Sequence, residues 1–424
     1  MKKLSLLLTL AVLAVFSASA QSAVETTEAQ AAYIHANRYR TGVNTNPYEY
    51  IPIAETPVPK GYKPFYISHY GRHGSRSDWD GDYSEVIALY TKAHEAGVLS
   101  EAGEKAFATI CEIYAKHNGM NGRLTARGAR EHRAIARRMY EKYRKVFTKG
   151  PRQVRAVSST VPRCIVSMAA FTGELLSLDP RLGVSWDTGE RFMDYCSSND
   201  PKDVKKEAYV LIDKHADSFD GDTLSFQKRI FKDVEAGRAV VGSGRALLDG
   251  TLEFAAISGA FDYDTFLLDL LDEDVLLHYA QNISLNLFLR QCNSAEFGDR
   301  RMAVPEVLNL VNDFVVKADE VIKTGDYAAD LRFGHDYQLL AFCSRIGIKG
   351  IGERLTADEA VNWPGYFFSP FAGNVQAVFY RDKDGEILVK FFINERETSL
   401  ITLPGGPYYR WEDVKEVFTN YLNK

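Results

Sequence analysis

Cysteine is scarce in this chain and poorly spaced for chemistry. Cys111, Cys164, Cys196, Cys292 and Cys343 lie no closer than 32 residues apart, so there is no C-x-x-C metal or redox pair. Six places after each stands His117, Ala170, Lys202, Gly298 or Lys349, never arginine, which excludes a C-x5-R thiolate loop. Five cysteines allow at most two disulfides in an oxidising compartment, and their spacing does not say which. An excess of basic charge is also missing: 51 Lys and Arg stand against 56 Asp and Glu, a formal net charge of −5. Nucleic acid is not an expected partner. No internal repeat or low-complexity tract occurs.

Long apolar runs are absent except at the start. Lys2 and Lys3 precede the apolar stretch Leu4 to Phe16, and Ala18-Ser19-Ala20 precedes Gln21. This pattern predicts a signal peptide, residues 1–20, cleaved after Ala20, and a periplasmic or secreted product. The run is too short to span a membrane, and no cysteine follows the cut to carry a lipid.

Residues 21–60 carry Pro47, Pro52, Pro57 and Pro59 and read as a lead-in wrapped on the surface. Strands are expected at Pro64–Tyr70, Gln153–Ser159 and Ala329–Gly334, with a hairpin over Asn374–Ile393 turning at Lys383-Asp384-Gly385. Helical spacing marks residues 100–118, 125–147 and 163–178. From Asp179 to about Thr324 the pattern is mostly helical. The economical fold is an α/β domain built from both ends of the chain, 61–180 and 325–424, with a helical cap inserted over 181–324.

The expected strands share one property. Each ends in polar residues: Arg72-His73-Gly74-Ser75-Arg76, then Ser158-Ser159-Thr160-Val161-Pro162-Arg163, then His335-Asp336. Ligands in open α/β sheets bind at the carboxyl ends of strands, so the three loops are expected to converge. The pocket would hold three arginines, two or three histidines and one carboxylate. Arginine forks match phosphate oxygens in pairs, and Gly71 and Gly74 would let the backbone approach such a ligand. Among arginines a neutral His73 keeps its lone pair and can attack phosphorus. Asp336 is the candidate general acid for the departing oxygen. No metal or other cofactor is needed, and the expected partner is a small phosphate ester.

Blander readings accompany these. His69, inside the strand, is expected to be structural. A zinc site from His69, His73 and His335 would set a cation among arginines. Asp78-x-Asp80-x-Asp82 opens like a calcium loop but has Tyr83 and Leu89 where glycine and glutamate belong. Gly242-Ser243-Gly244-Arg245 reads as a turn between helices. Arg127, Arg130, Arg133, Arg137 and Arg138 read as a solvated helix face, with an early member able to reach substrate phosphates.

Taken together, R-H-G-x-R after a strand, L-T-x-x-G-x-x-x-H at Leu124–His132, Ser159-Thr160 leading to Arg163, and H-D after a late strand resemble the histidine acid phosphatases. That resemblance implies a phosphoglycerate-mutase-like α/β sandwich with an inserted helical cap domain. It also implies Arg72, Arg76, Arg163 and His335 as phosphate ligands, His73 as phosphorylated nucleophile and Asp336 as proton donor. The wording "FYISHYGRHGSR" and "GRLTARGAREHRAIARRM" is similar to bacterial multiple inositol polyphosphate phosphatases, so phytate-like substrates are expected. That branch usually has H-A-E where this chain has His335-Asp336, and a proline where Ser77 to Asp82 stand. The acidic loop either borders the pocket, disfavouring dense anions, or faces solvent. Sugar phosphates or nucleotides remain alternative substrates. Silent phosphate binding and phosphomutase chemistry are alternative functions; the presence of both His73 and Asp336 argues for an enzyme, and the expected export away from metabolic sugar phosphates argues against the mutase.

Overall fold

The structure, a computed structural model, describes residues 23–79, 83–217 and 223–420. The expected signal peptide, Asp80 and Asp82 lie outside them. An eight-stranded sheet organises the chain: β1 (Lys63–Arg72), β2 (Gln153–Ser158), β3 (Gly183–Thr188), β4 (Tyr327–Gly334), β5 (Asn374–Arg381), β6 (Ile387–Ile393), β7 (Arg396–Thr398) and β8 (Tyr408–Arg410). Its order is β3-β2-β4-β1-β5-β6-β7, with β8 paired to β6. The strands β3, β2, β4 and β1 run parallel, whereas β5 to β8 are antiparallel to their neighbours.

β1 is buried along most of its length because parallel strands take helices on both faces. On one face the helices Ala126–Lys142 and Pro162–Leu178 close a core containing Ile67, Ile135, Met139, Phe171 and Leu331. On the other, Pro305–Thr324 and Asp336–Ile346 pack Phe314 and Leu339 into the core that holds Tyr66 and Phe379. Fully burying a side chain such as Phe171 contributes about 1.5–3 kcal/mol.

Register matters most for function. Gly71 and Ser158 both pair with Phe333, and Arg72 pairs with Gly334, so β1, β4 and β2 end side by side. Every named element from Glu190 to Thr324 is helical, and the Gly242–Gly244 segment joins helices Val234–Val241 and Arg245–Ser258. No helix among the described residues is long and apolar enough to cross a membrane. All five cysteines are free thiols.

Two features depart from the sequence reading. β3 falls where mostly helix is expected. It is an edge strand whose last four residues are exposed, so backbone pairing with β2 holds it and its apolar alternation is short, confined to Leu182, Val184 and Trp186. The lead-in is not merely a surface wrapping. Thr27–Ala36 is helical and Arg38–Thr45 forms a 3-10 segment, and Tyr33, Ile34, Arg40 and Val43 are buried. The prolines govern only the extended stretch that follows.

Candidate active site

β1 delivers Arg72 and His73 to the end of the sheet. Backbone bonds fix the turn: His73 N–H donates to Gly334 O at 3.0 Å and Ala372 N–H donates to His73 O at 2.9 Å. Gly74 then meets the Ala126–Lys142 helix, where a Cβ would lie 2.7 Å from Gly128 Cα. A Cβ on Gly128 would collide with the backbone oxygen of Ser75. Gly71 faces the His69 ring in the same way. These glycines therefore serve close packing within the protein, a role the sequence alone does not suggest. Glu131, one helical turn past Gly128, accepts Ser75 N–H at 2.8 Å and Ser75 Oγ at 2.7 Å, clamping the loop from below.

The predicted residues do come together. Arg72 is 1% exposed. Its Nη1 donates to Asn44 O at 2.6 Å and Ser369 O at 2.9 Å, its Nη2 pairs with Asp336 Oδ2 at 3.0 Å, and its guanidinium lies over Phe371. Arg76 shares Phe371, donates to Ser77 O at 2.8 Å and stands 3.7 Å from Asp78. Arg163 stacks on Trp79, and its Nη2 donates to His335 Nδ1 at 3.4 Å. The His73 and His335 rings are 5.7 Å apart, centre to centre. The Nε atoms of Arg72, Arg76 and Arg163 are all buried without a partner.

His73 is oriented by its own loop. Nδ1 lies 3.0 Å from Gly74 O. A carbonyl only accepts, so Nδ1 carries the proton and Nε2 keeps the lone pair. Burial, then Arg72, Arg163 and Arg76, hold this imidazole well below the usual histidine range. His335 is held at about 3 by burial and Arg163; its Nε2 lies 3.3 Å from Ser159 Oγ. Asp336 opens the helix Asp336–Ile346 with His335 as N-cap. Burial acts to raise its pKa, but Arg72, Asn44, Arg76 and His335 outweigh that and hold it at about 2. Without a bound anion it is a carboxylate.

Other expectations sort differently. His69 is buried against Phe171 and Phe333. No cluster of three or more His, Cys, Asp or Glu among the described residues could hold a metal ion. Asp78 borders the cage and accepts Tyr83 Oη at 2.8 Å. The basic run is largely paired and not simply solvated: Arg127 donates to Gly259 O at 3.0 Å, Arg130 pairs with Asp262, Arg137 with Glu174 and Arg138 with Glu395. Sequence reasoning missed Asn44, Glu131, Ser369 and Phe371. Only Glu131 left a signal, a carboxylate at a buried position of a basic helix.

Residues 71–228 match the histidine phosphatase superfamily, branch 2. No curated protein matches the sequence. The fold is shared with a Bifidobacterium longum multiple inositol polyphosphate phosphatase, solved with phosphate, at 18% identity, TM-score 0.68, covering 89% of this chain and 97% of that one. The same protein bound to inositol hexasulfate aligns at 17% identity and TM-score 0.64 with the same coverage. A phytase from D. castellii aligns at 14% identity and TM-score 0.65, covering 92% of this chain and 86% of that one. The loop Arg72 to Arg76 lies inside the segment that matches this family, and the fold is shared with these phosphatases over most of the chain's length.

Proposed function

We propose that this chain is an exported acid phosphomonoesterase that works through a phosphohistidine and acts on inositol polyphosphates such as phytate. The observation that carries the reading is the set of three buried, unpartnered guanidinium Nε–H groups from Arg72, Arg76 and Arg163. Buried donors without partners are costly, and a phosphoryl group brings the acceptors they lack. His335, beside Arg163, completes the cage.

In the first step His73 Nε2 attacks phosphorus. The bond from phosphorus to the ester oxygen breaks, and that oxygen takes the proton of Asp336. The Gly74 carbonyl keeps Nδ1 protonated and supports the charge that develops on the ring. The arginines stabilise the equatorial oxygens as charge spreads over them. In the second step water attacks phosphorus, gives its proton to the Asp336 carboxylate, and the N–P bond breaks to release phosphate and neutral His73. Domain roles follow: 61–180 with 325–424 carries the chemistry, and the helices between 181 and 324 shape the substrate side. The inositol preference is supported by the bound ligand of the B. longum enzyme of shared fold and by the excess of arginine in the cage.

The test is phosphate release from inositol hexakisphosphate, a sugar phosphate and a nucleotide, over pH and with chelator, paired with rapid-quench trapping. Acid-labile, alkali-stable label lost in His73→Ala supports the mechanism, as does activity indifferent to chelator. Acid-stable label, or dependence on added metal, refutes it. A clear preference for nucleotide over inositol hexakisphosphate removes the substrate assignment alone.

A further inference from the structure

Val43 has φ 47° and ψ −91°, a left-handed conformation that a β-branched residue adopts only under constraint. It is fully buried. The constraint comes from both sides of the turn. Thr45 Oγ1 lies 3.0 Å from Gly42 O and 3.1 Å from Ala256 O, and Phe371 N–H donates to Asn46 O at 2.8 Å. Between these anchors stands Asn44. Asparagine in a turn ordinarily bonds its own neighbouring backbone, but this one reaches across the fold. Its carbonyl accepts Arg72 Nη1 at 2.6 Å, and its Nδ2 donates to Asp336 Oδ2 at 3.1 Å. Arg72 Nη2 holds that same oxygen at 3.0 Å. One residue thus touches both members of the buried ion pair.

We propose that Asn44 is a positioning residue for the proton donor: its side-chain amide fixes the Asp336 carboxyl beside the cage and biases it toward the ionised form, so that Asp336 takes its proton only when an anion enters. The proposal rests on the role given to Asp336 above. The other carboxylate oxygen, Oδ1, accepts the N–H of Tyr337 at 3.0 Å, so the ionised group has donors at both oxygens. A protonated carboxyl must turn its O–H away from the Asn44 amide, which makes that amide selective for the charged form.

The groups facing Asp336 are few. Arg72 and Arg76 come from β1 and its loop, His335 and Tyr337 from its own element, and Cys164 from the helix Pro162–Leu178. Burial holds the Cys164 thiol up at about 11 and Tyr337 at about 12, and His335 stays neutral above about 3. None of the three titrates in mild acid. In the complex the bound anion also raises His335, so the limb is assigned to Asp336 by its response to the Asn44 variants and its absence with a leaving group that needs no proton.

The experiment compares wild type with Asn44→Ala, which keeps the backbone carbonyl that holds Arg72, and with the near-isosteric Asn44→Asp. For an alkyl phosphate, kcat falls as pH rises past the point where Asp336 in the complex loses its proton. Losing one hydrogen bond to the charged form moves that limb up by about one pH unit in Asn44→Ala, and a second carboxylate in Asn44→Asp moves it further the same way. A nitrophenyl phosphate, whose leaving group needs no proton, shows little of either shift in its phosphorylation step. A limb that stays in place in folded variants, or a loss equal at all pH values and on both substrates, overturns the proposal.

Binding gives a readout independent of turnover. Sulfate does not titrate in this range, so proton uptake on sulfate binding to His73→Ala, measured by calorimetry in buffers of different ionisation enthalpy, reports the carboxyl directly. Its midpoint should rise on adding Asn44→Asp or Asn44→Ala, and an unmoved midpoint defeats the inference. A wild type that releases no phosphate from any ester defeats the proposed function, while the sulfate measurement still decides for or against Asn44.

Discussion

Lowering the pH should destabilise this protein steeply, because its buried histidines refuse protons. His69, His132 and His335 are each held at about 3, burial being the leading cause in all three. Both ring nitrogens of His132 and the Nδ1 of His69 lack a hydrogen bond of ordinary geometry, and the backbone of Arg72 only partly offsets burial at His132. In the unfolded chain each titrates near 6.5. Since the folded value lies below the unfolded one, the unfolded state binds the extra protons. Stability is therefore intact above about pH 7 and declines as pH falls toward 3. Between pH 8 and pH 5 one such histidine costs about 2 kcal/mol, and three cost roughly 6, a large part of the roughly 5–15 kcal/mol that folded domains possess. Urea unfolding followed by tryptophan fluorescence at pH 8, 7, 6 and 5 reads this, in buffers free of phosphate and sulfate, which would add binding energy. His132→Leu removes one titrating group and its unpartnered nitrogens. It should lessen the loss between pH 8 and pH 5 by about 2 kcal/mol. A slope unchanged by His132→Leu would refute the claim that this imidazole is buried neutral.

Two further outcomes follow from the geometry of the loop. Gly128→Ala drives a Cβ against the backbone of Ser75, 2.7 Å from its nitrogen; we expect a loss of about 1–3 kcal/mol in urea unfolding together with a fall in kcat, and an unaffected kcat would show that the helix does not position the loop. Arg72→Lys keeps the charge but cannot reach Asn44 O, Ser369 O and Asp336 at once. A drop in kcat/KM on the order of 10²–10³ is expected, and near wild-type kinetics would show that charge alone suffices.

Much of the site was legible because strand ends are. Apolar runs broken by Arg72-His73, Ser158-Ser159 and His335-Asp336 locate three strands, and the tendency of parallel strands to present their carboxyl ends together does the rest. The structure supplies the pairing of Gly71 and Ser158 with Phe333 that makes the loops adjacent. What stayed hidden depends on long-range contact without local pattern. Asn44 meets Asp336 across 292 positions, and no periodicity marks it. Ser369 contributes only a backbone carbonyl, which any residue could supply. β3 escaped because its alternation is confined to Leu182, Val184 and Trp186 inside a mostly helical stretch and its last four residues are exposed. Gly74 and Gly128 were visible as glycines, but that each exists for the other emerges only when helix and loop touch.

A carboxyl that sits at about 2 in the free protein looks ill suited to donate a proton, yet the same contacts explain how it would do so in the proposed mechanism. Its acidity is maintained by Arg72, Asn44 and Arg76, and the three buried Nε–H groups show that the arginine charge is not fully used. A phosphoryl group entering the cage brings negative charge close to Asp336. At about 5 Å and an effective dielectric constant of about 20, each unit of that charge opposes the carboxylate by about 3 kcal/mol, roughly a hundredfold gain in proton affinity. A dianion acts twice as strongly. In the proposed mechanism substrate binding would thus move Asp336 from permanently ionised toward protonated in mild acid, and departure of the leaving group with that proton would restore the carboxylate that the water step requires. The free enzyme and the complex need opposite states of one group, and the anion itself switches between them. Mild acid favours the first step, while the buried histidines limit how far the pH can fall before the fold gives way.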